Sequence, residues 1–110
     1  MTFDEYQQKA LTTLVRHPDP MMNKTILAMG VVGEAGEVIE KWKKIVAYWQ
    51  GDVTEERRAE LGKELADVVW YIAVLAQELG LSFDAIMQQN VEKLASRQQR
   101  GVLKGHGDNR

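Results

Sequence analysis

The chain has 110 residues with 14 Lys and Arg against 16 Asp and Glu, and its net charge of −2 excludes the strongly basic balance of a duplex nucleic-acid binder. A chain of this length makes one domain, residues 1–110, with a modest core, so association into a homo-oligomer, dimer or tetramer, is expected to enlarge that core. Cysteine is absent, no charged-apolar-small leader opens the chain, and no apolar run nears the roughly 20 residues that span a bilayer, so a soluble, cytoplasmic protein with no membrane partner is expected.

Thr2-Phe3-Asp4-Glu5 has the form of a capping box, and Phe3, Tyr6, Ala10, Leu11 and Leu14 follow at helical spacing, which predicts a short first helix. Both prolines, Pro18 and Pro20, then interrupt the helical pattern and mark the first linker. Asn23 is the expected cap of a long second helix carrying Ile26, Met29, Val32, Val38, Ile39, Trp42, Ile45, Val46 and Trp49, which ends near Gly51-Asp52. Thr54 is the expected cap of a third helix, whose Leu61, Leu65, Val68, Ile72, Leu75 and Leu79 follow a 4-3 pattern up to Gly80. Ser82 opens a fourth helix through Phe83, Ile86, Met87, Val91 and Leu94. It closes at Gly101, beyond which a flexible, basic, Gly-rich tail occupies residues 101–110. No strand alternation competes, so the fold class is all-α and four-helix-bundle-like.

Chemistry enters with the acids. Glu34 and Glu37 lie three residues apart on one face of the second helix, and Glu64 and Asp67 repeat the arrangement on the third, one position before the apolar Leu65 and Val68. That position makes Glu64 and Asp67 half-buried. Any single Glu-x-x-Glu is far more often solvated helix surface than a site, because exposed acids are the rule. Two features shift the balance. Gly30, Gly33 and Gly36 share one side of the second helix at a cost of roughly 1 kcal/mol each relative to alanine, which calls for close helix approach or room for a ligand. Like charges at this spacing also repel unless a cation lies between them, and four carboxylates form a hard-oxygen site suited to Mg²⁺ or Mn²⁺. A di-iron bundle site would need Glu-x-x-His, and neither His17 nor His106 stands at that spacing.

Glu34-Ala35-Gly36-Glu37, followed downstream by Glu64-Leu65-Ala66-Asp67-Val68-Val69-Trp70-Tyr71, resembles the paired acidic motif of the MazG-like all-α nucleotide pyrophosphohydrolases. The resemblance continues through Asn90-Val91-Glu92-Lys93-Leu94, Arg97, Arg100-Gly101 and Gly105-His106-Gly107-Asp108-Asn109-Arg110, the tail pattern of short single-domain members. One position departs: Gly33 stands where the family's usual motif has a first glutamate, which leaves the number of metal ions open. The resemblance implies an oligomeric all-α fold and Mg²⁺-dependent hydrolysis of a nucleoside triphosphate to the monophosphate and pyrophosphate. It implies metal binding by Glu34, Glu37, Glu64 and Asp67, with Glu34 and Glu37 catalytic and Glu37 the choice for accepting the water's proton.

Asn90, Lys93, Arg97 and Arg100 form one stripe on the fourth helix, and residues 93–110 hold five Lys or Arg against one acid. Cations are favoured in the last turn of a helix, which accounts for Arg100 about as well as a ligand would. As a group, these four residues suit a triphosphate, because guanidinium forks and a compact ammonium match phosphate oxygens. Trp42, Trp49, Trp70 and Tyr71 are read as core ahead of base-stacking surface. Tyr6 and Gln7 are weaker candidates for base contacts. The alternative function is a non-catalytic helical interaction module whose charges merely solubilise it.

Overall fold

A computed structural model describes residues 1–110 as four α-helices without strands: α1 (Phe3–Leu11), α2 (Pro20–Trp49), α3 (Glu55–Glu78) and α4 (Phe83–Gln99). Three of the expected caps form. The hydroxyls of Thr2, Thr54 and Ser82 accept hydrogen bonds from the backbone N–H of Glu5, Arg57 and Ala85 and satisfy donors left open in each first turn. The fourth cap differs: α2 begins at Pro20, earlier than the predicted Asn23. Proline at the first helical position lacks only an N–H that would be unpaired there, so Pro20 starts the helix instead of breaking it. Asn23 is buried within the first turns, and its side-chain oxygen accepts from the His17 backbone N–H, tying the linker to the helix. The first helix is also shorter than its apolar pattern, ending at Leu11, although Leu14 still packs against the core.

Gln50 and Gly51 turn the chain between α2 and α3 with φ of 52° and 79°, and the Gly51 N–H returns to the Ile45 carbonyl at 3.0 Å. This left-handed pair reverses the direction, so α3 runs back along α2 and residues whose numbers sum to about 100 face each other: Gly30 with Tyr71, Glu34 with Glu64 and Asp67, Lys41 with Glu60. Gly30 serves this pairing. A Cβ there would stand 2.1 Å from a Tyr71 ring carbon, so the bare glycine admits the ring. Gly33 and Gly36 have no atoms of other elements near that position and do not serve packing within the chain.

The core sits at the other end of the hairpin. Ala10, Leu27, Ala73, Val74 and Phe83 form it, with Tyr6, Trp70, Tyr71 and Met87 packed around. Buried Gln7 stitches three elements: its amide donates to the carbonyls of Ala73 and Leu81, and its oxygen accepts from the Phe83 N–H. Those bonds commit both ends of the side chain, which corrects its reading as a base contact. Asp4 and Asp84 clasp the N-termini of α1 and α4 reciprocally, Asp84 accepting from the Phe3 N–H while Asp4 accepts from the Asp84 N–H and the Ser82 hydroxyl. From there α4 leaves α3 at 106° and does not touch α2. Within one chain, therefore, the helices stay open. No single helix is long and apolar enough to cross a membrane.

Candidate functional site

Antiparallel pairing of α2 and α3 brings Glu34, Glu64 and Asp67 together, with one carboxylate oxygen of each lying within 4.8 Å of the others. An octahedral Mg²⁺ holds its oxygens at about 2.1 Å, which puts neighbouring and opposite ligands about 3.0 and 4.2 Å apart. The three acids therefore need only a small inward rotation to share one ion, and hard carboxylate oxygens are the right donors for it. Glu64 is half-buried as expected, its side chain 18% exposed. Asp67 is exposed, which corrects the expectation that both acids are half-buried: the groove is open on the Asp67 side. Glu37 stands one turn beyond Glu34, exposed and outside the trio.

Like charge accumulates here. Desolvation, followed by the charges of Asp67, Glu64 and Glu37, raises the Glu34 carboxyl above its ordinary pKa. Burial, followed by the Asp67 charge, likewise raises the Tyr6 hydroxyl above its ordinary pKa. One cation reaches the acids: Lys41, on the same face of α2 as Glu34 and two turns on, has its Nζ 3.4 Å from Glu64 and 3.5 Å from Glu60. Desolvation pulls the Lys41 pKa down, but the bonds and charges of Glu64 and Glu60 outweigh it and the net shift is upward. Sequence reasoning missed Lys41. Its seven-residue spacing from Glu34, which repeats a helix face, was the available signal.

The basic stripe lies elsewhere. Asp67 is roughly 16 Å before the end of α3 and Lys93 roughly 15 Å along α4, so a 106° turn leaves them roughly 20 Å apart. Lys93 and Arg97 instead meet the tail. The Asp108 carboxylate accepts from both, at 3.1 and 3.2 Å, and the Arg97 guanidinium also donates to the Asp108 carbonyl at 2.6 Å. Lys93 and then Arg97 hold the Asp108 carboxyl below its ordinary pKa. Arg97 is 5% exposed with its Nε unpaired, Arg100 donates to the Arg110 carbonyl, and Asn90 is exposed on the same helix. Trp70 and Tyr71 pack against the core as read, whereas Trp42 and Trp49 are exposed.

Comparison with known proteins matches residues 22–102 to the MazG nucleotide pyrophosphohydrolase domain, about three quarters of the chain, including Glu37 and the three clustered acids. The chain belongs to this MazG family. It is also 43% identical over 115 residues to the Gene 37 protein of Mycobacterium phage L5, with both chains covered in full. No solved structure matches. Family membership points to nucleotide pyrophosphohydrolase activity and a nucleotide substrate, and the acidic cluster fits the metal dependence typical of the family.

Proposed function

We propose that this MazG protein hydrolyses a nucleoside triphosphate between its α and β phosphates, giving the monophosphate and pyrophosphate, with Mg²⁺ or Mn²⁺ at Glu34, Glu64 and Asp67 and Glu37 alongside. The convergence of three carboxylates from two helices on one point, inside a MazG domain, carries this reading. A bound divalent ion supplies positive charge for the phosphates and acidifies a water. Glu34, Glu64 and Asp67 provide the ligating oxygens. Glu37, outside the trio, takes the proton of the attacking water as the bond from the α phosphorus to the bridging oxygen breaks.

The same reading includes a homo-oligomer in a reducing, cytoplasmic setting. On α2, Ala28, Val32, Ala35, Ile39, Trp42 and Val46 follow 4-3-4-3-4 spacing on the side away from Glu34, and Val32, Ile39, Trp42 and Val46 are all exposed. This is a heptad seam without a partner helix. A second copy would cover it, and Asn90, Lys93, Arg97 and Arg100, too far from their own cluster, would reach the phosphates from such a copy.

Magnesium-dependent pyrophosphate release from a panel of ordinary and modified triphosphates tests the activity. Glu64→Gln and Asp67→Asn should each lower turnover at least about tenfold with helix content unchanged, because a neutral amide loses the charge that holds the ion. Wild-type rates in both variants at low magnesium would remove the cluster from the site. Absence of pyrophosphate release across the panel would favour the interaction module instead.

A further inference from the structure

The cation that borders the cluster also opens a second feature. Lys41, ion-paired with both Glu60 and Glu64, lines with Glu60 a groove of about 660 Å³ that runs along the α2–α3 seam toward the hairpin turn. Lys44 lies on the same wall, one helical turn past Lys41. We propose that Lys41 and Lys44 form a subsite for the diphosphate end of the substrate, taken up by the β and γ phosphates before hydrolysis and by metal-complexed pyrophosphate after it. This subsite rests on the pyrophosphohydrolase reading and adds to it the direction in which the triphosphate lies.

Charge identifies the ligand class. The groove's three cations, Lys41, Lys44 and Arg57, face three acids, Glu55, Glu56 and Glu60, so it carries no net charge. A bare polyanion gains little there. A divalent ion cancels two of the roughly three to four negative charges of a diphosphate, and the weakly anionic complex presents phosphate oxygens to the ammoniums and metal-bound water to the carboxylates. Arg57 is already committed, stacked 3.9 Å from the Trp49 ring centroid and donating to the Asp52 carbonyl at 2.9 Å, so it shapes the wall. The two lysines differ: Lys41 is shared between Glu60 and Glu64, whereas Lys44 is nearly uncommitted. Lys44 has only a loose partner, Glu40 at 3.8 Å, and is half exposed.

Lys41 has a partner that the metal would claim. While the cluster lacks a divalent ion, Lys41 is the counter-ion of Glu64. Once Glu64 turns to an ion, that attraction is neutralised and the flexible lysine stem can swing its ammonium to a phosphate oxygen on the groove side. Two opposite consequences follow from one side chain. Lys41 opposes the entry of a metal ion alone, by repulsion, and favours the entry of a metal ion that brings a diphosphate.

The test uses the full chain and two titrations: Mn²⁺ alone, followed by the electron paramagnetic resonance of the free ion, and pyrophosphate in excess Mg²⁺, followed by calorimetry. Lys41→Met should bind Mn²⁺ several-fold more tightly and Mg²⁺-pyrophosphate about tenfold or more weakly, the loss expected for one charge-assisted contact. Lys44→Met, at an exposed position where folding is not at stake, should weaken pyrophosphate several-fold and leave Mn²⁺ nearly unchanged. Pyrophosphate binding at wild-type strength in both variants would overturn the subsite. Absence of Mn²⁺ binding by the wild type would defeat the underlying metal-site reading, which separates the two failures.

Discussion

Glu34 shows how one carboxyl couples the site to stability. Its pKa is raised by desolvation and by Asp67, Glu64 and Glu37, so the folded metal-free chain holds that proton more tightly than the unfolded chain does. A raised carboxyl pKa favours folding at low pH, and the advantage is lost as pH rises through the folded-state value. Asp4, Glu40, Glu60 and Asp108 have lowered values and act in the opposite sense, so only a comparison isolates Glu34. Glu34→Gln should therefore gain stability relative to the metal-free wild type as pH is raised from the ordinary carboxylate range toward neutrality. Saturating Mg²⁺ should erase that advantage, because the ion supplies the missing counter-charge. Parallel thermal melts at several pH values, with and without Mg²⁺, measure both effects, and a difference independent of pH would show that Glu34 does not feel its neighbours.

A second contrast at this scale concerns the glycines of α2. Gly30→Ala drives a Cβ into the Tyr71 ring and should cost about 1 to 3 kcal/mol, as overpacking does. Gly33→Ala has open space around it and should instead stabilise the isolated chain by up to about 1 kcal/mol through helix propensity. Denaturant midpoints under monomeric conditions compare the two. Equal effects would mean that the ring of Tyr71 does not lie against the backbone of Gly30.

Elements were legible where a local side chain writes its own boundary. Thr2, Thr54 and Ser82 are read from sequence because a hydroxyl at a helix start answers its own N–H groups, and the four acids are read because i, i+3 spacing sets them on one face. What escaped reading depends on distant parts of the chain. Asn23 reads as a cap only if proline breaks the helix, and its partner is instead His17 in the linker. Lys41 looks like any solvated lysine until α3 brings Glu60 and Glu64 against it. The stripe on α4 was legible as a stripe, but its resting partner, Asp108, was not, since nothing local folds the tail back.

That tail changes the expectation for Lys93 and Arg97. On sequence grounds, replacing either should weaken triphosphate binding about tenfold with little change in stability. With Arg97 buried and bonded to the Asp108 carbonyl, Arg97→Ala should also release residues 101–110 from α4, whereas Lys93→Ala, at a more exposed ion pair, should leave the tail in place. Hydrogen exchange over the tail tells them apart, and triphosphate against monophosphate affinity of Lys93→Ala tests the phosphate role without that complication. Equal losses for both nucleotides would move Lys93 to the α phosphate or the sugar.

At the scale of the whole molecule, a single chain is open, and the proposed homo-oligomer would close it. Its radius of gyration is 17.0 Å, against about 13 Å for a compact domain of this length, and 10 of 110 residues are buried. The exposed apolar surface is ordered along α2, where Val32, Ile39, Trp42 and Val46 lie on the side away from the acids. Burying an isoleucine contributes roughly 1.5 to 3 kcal/mol, and a twofold interface repeats every contact, so Ile39→Asp should weaken association by at least about a hundredfold while also placing two carboxylates in apolar surroundings. Light scattering at micromolar concentration should show a dimer or larger for the wild type and a shift toward monomer for Ile39→Asp. Val15→Asp, at a position 91% exposed and off the seam, should leave the assembly as it is. Because oligomer stability depends on concentration, the wild-type melting temperature should rise with protein concentration and that of Ile39→Asp should not. A monomeric wild type with a concentration-independent melt would leave the seam bare in solution, and the α4 stripe would then have no second copy through which to reach the acids.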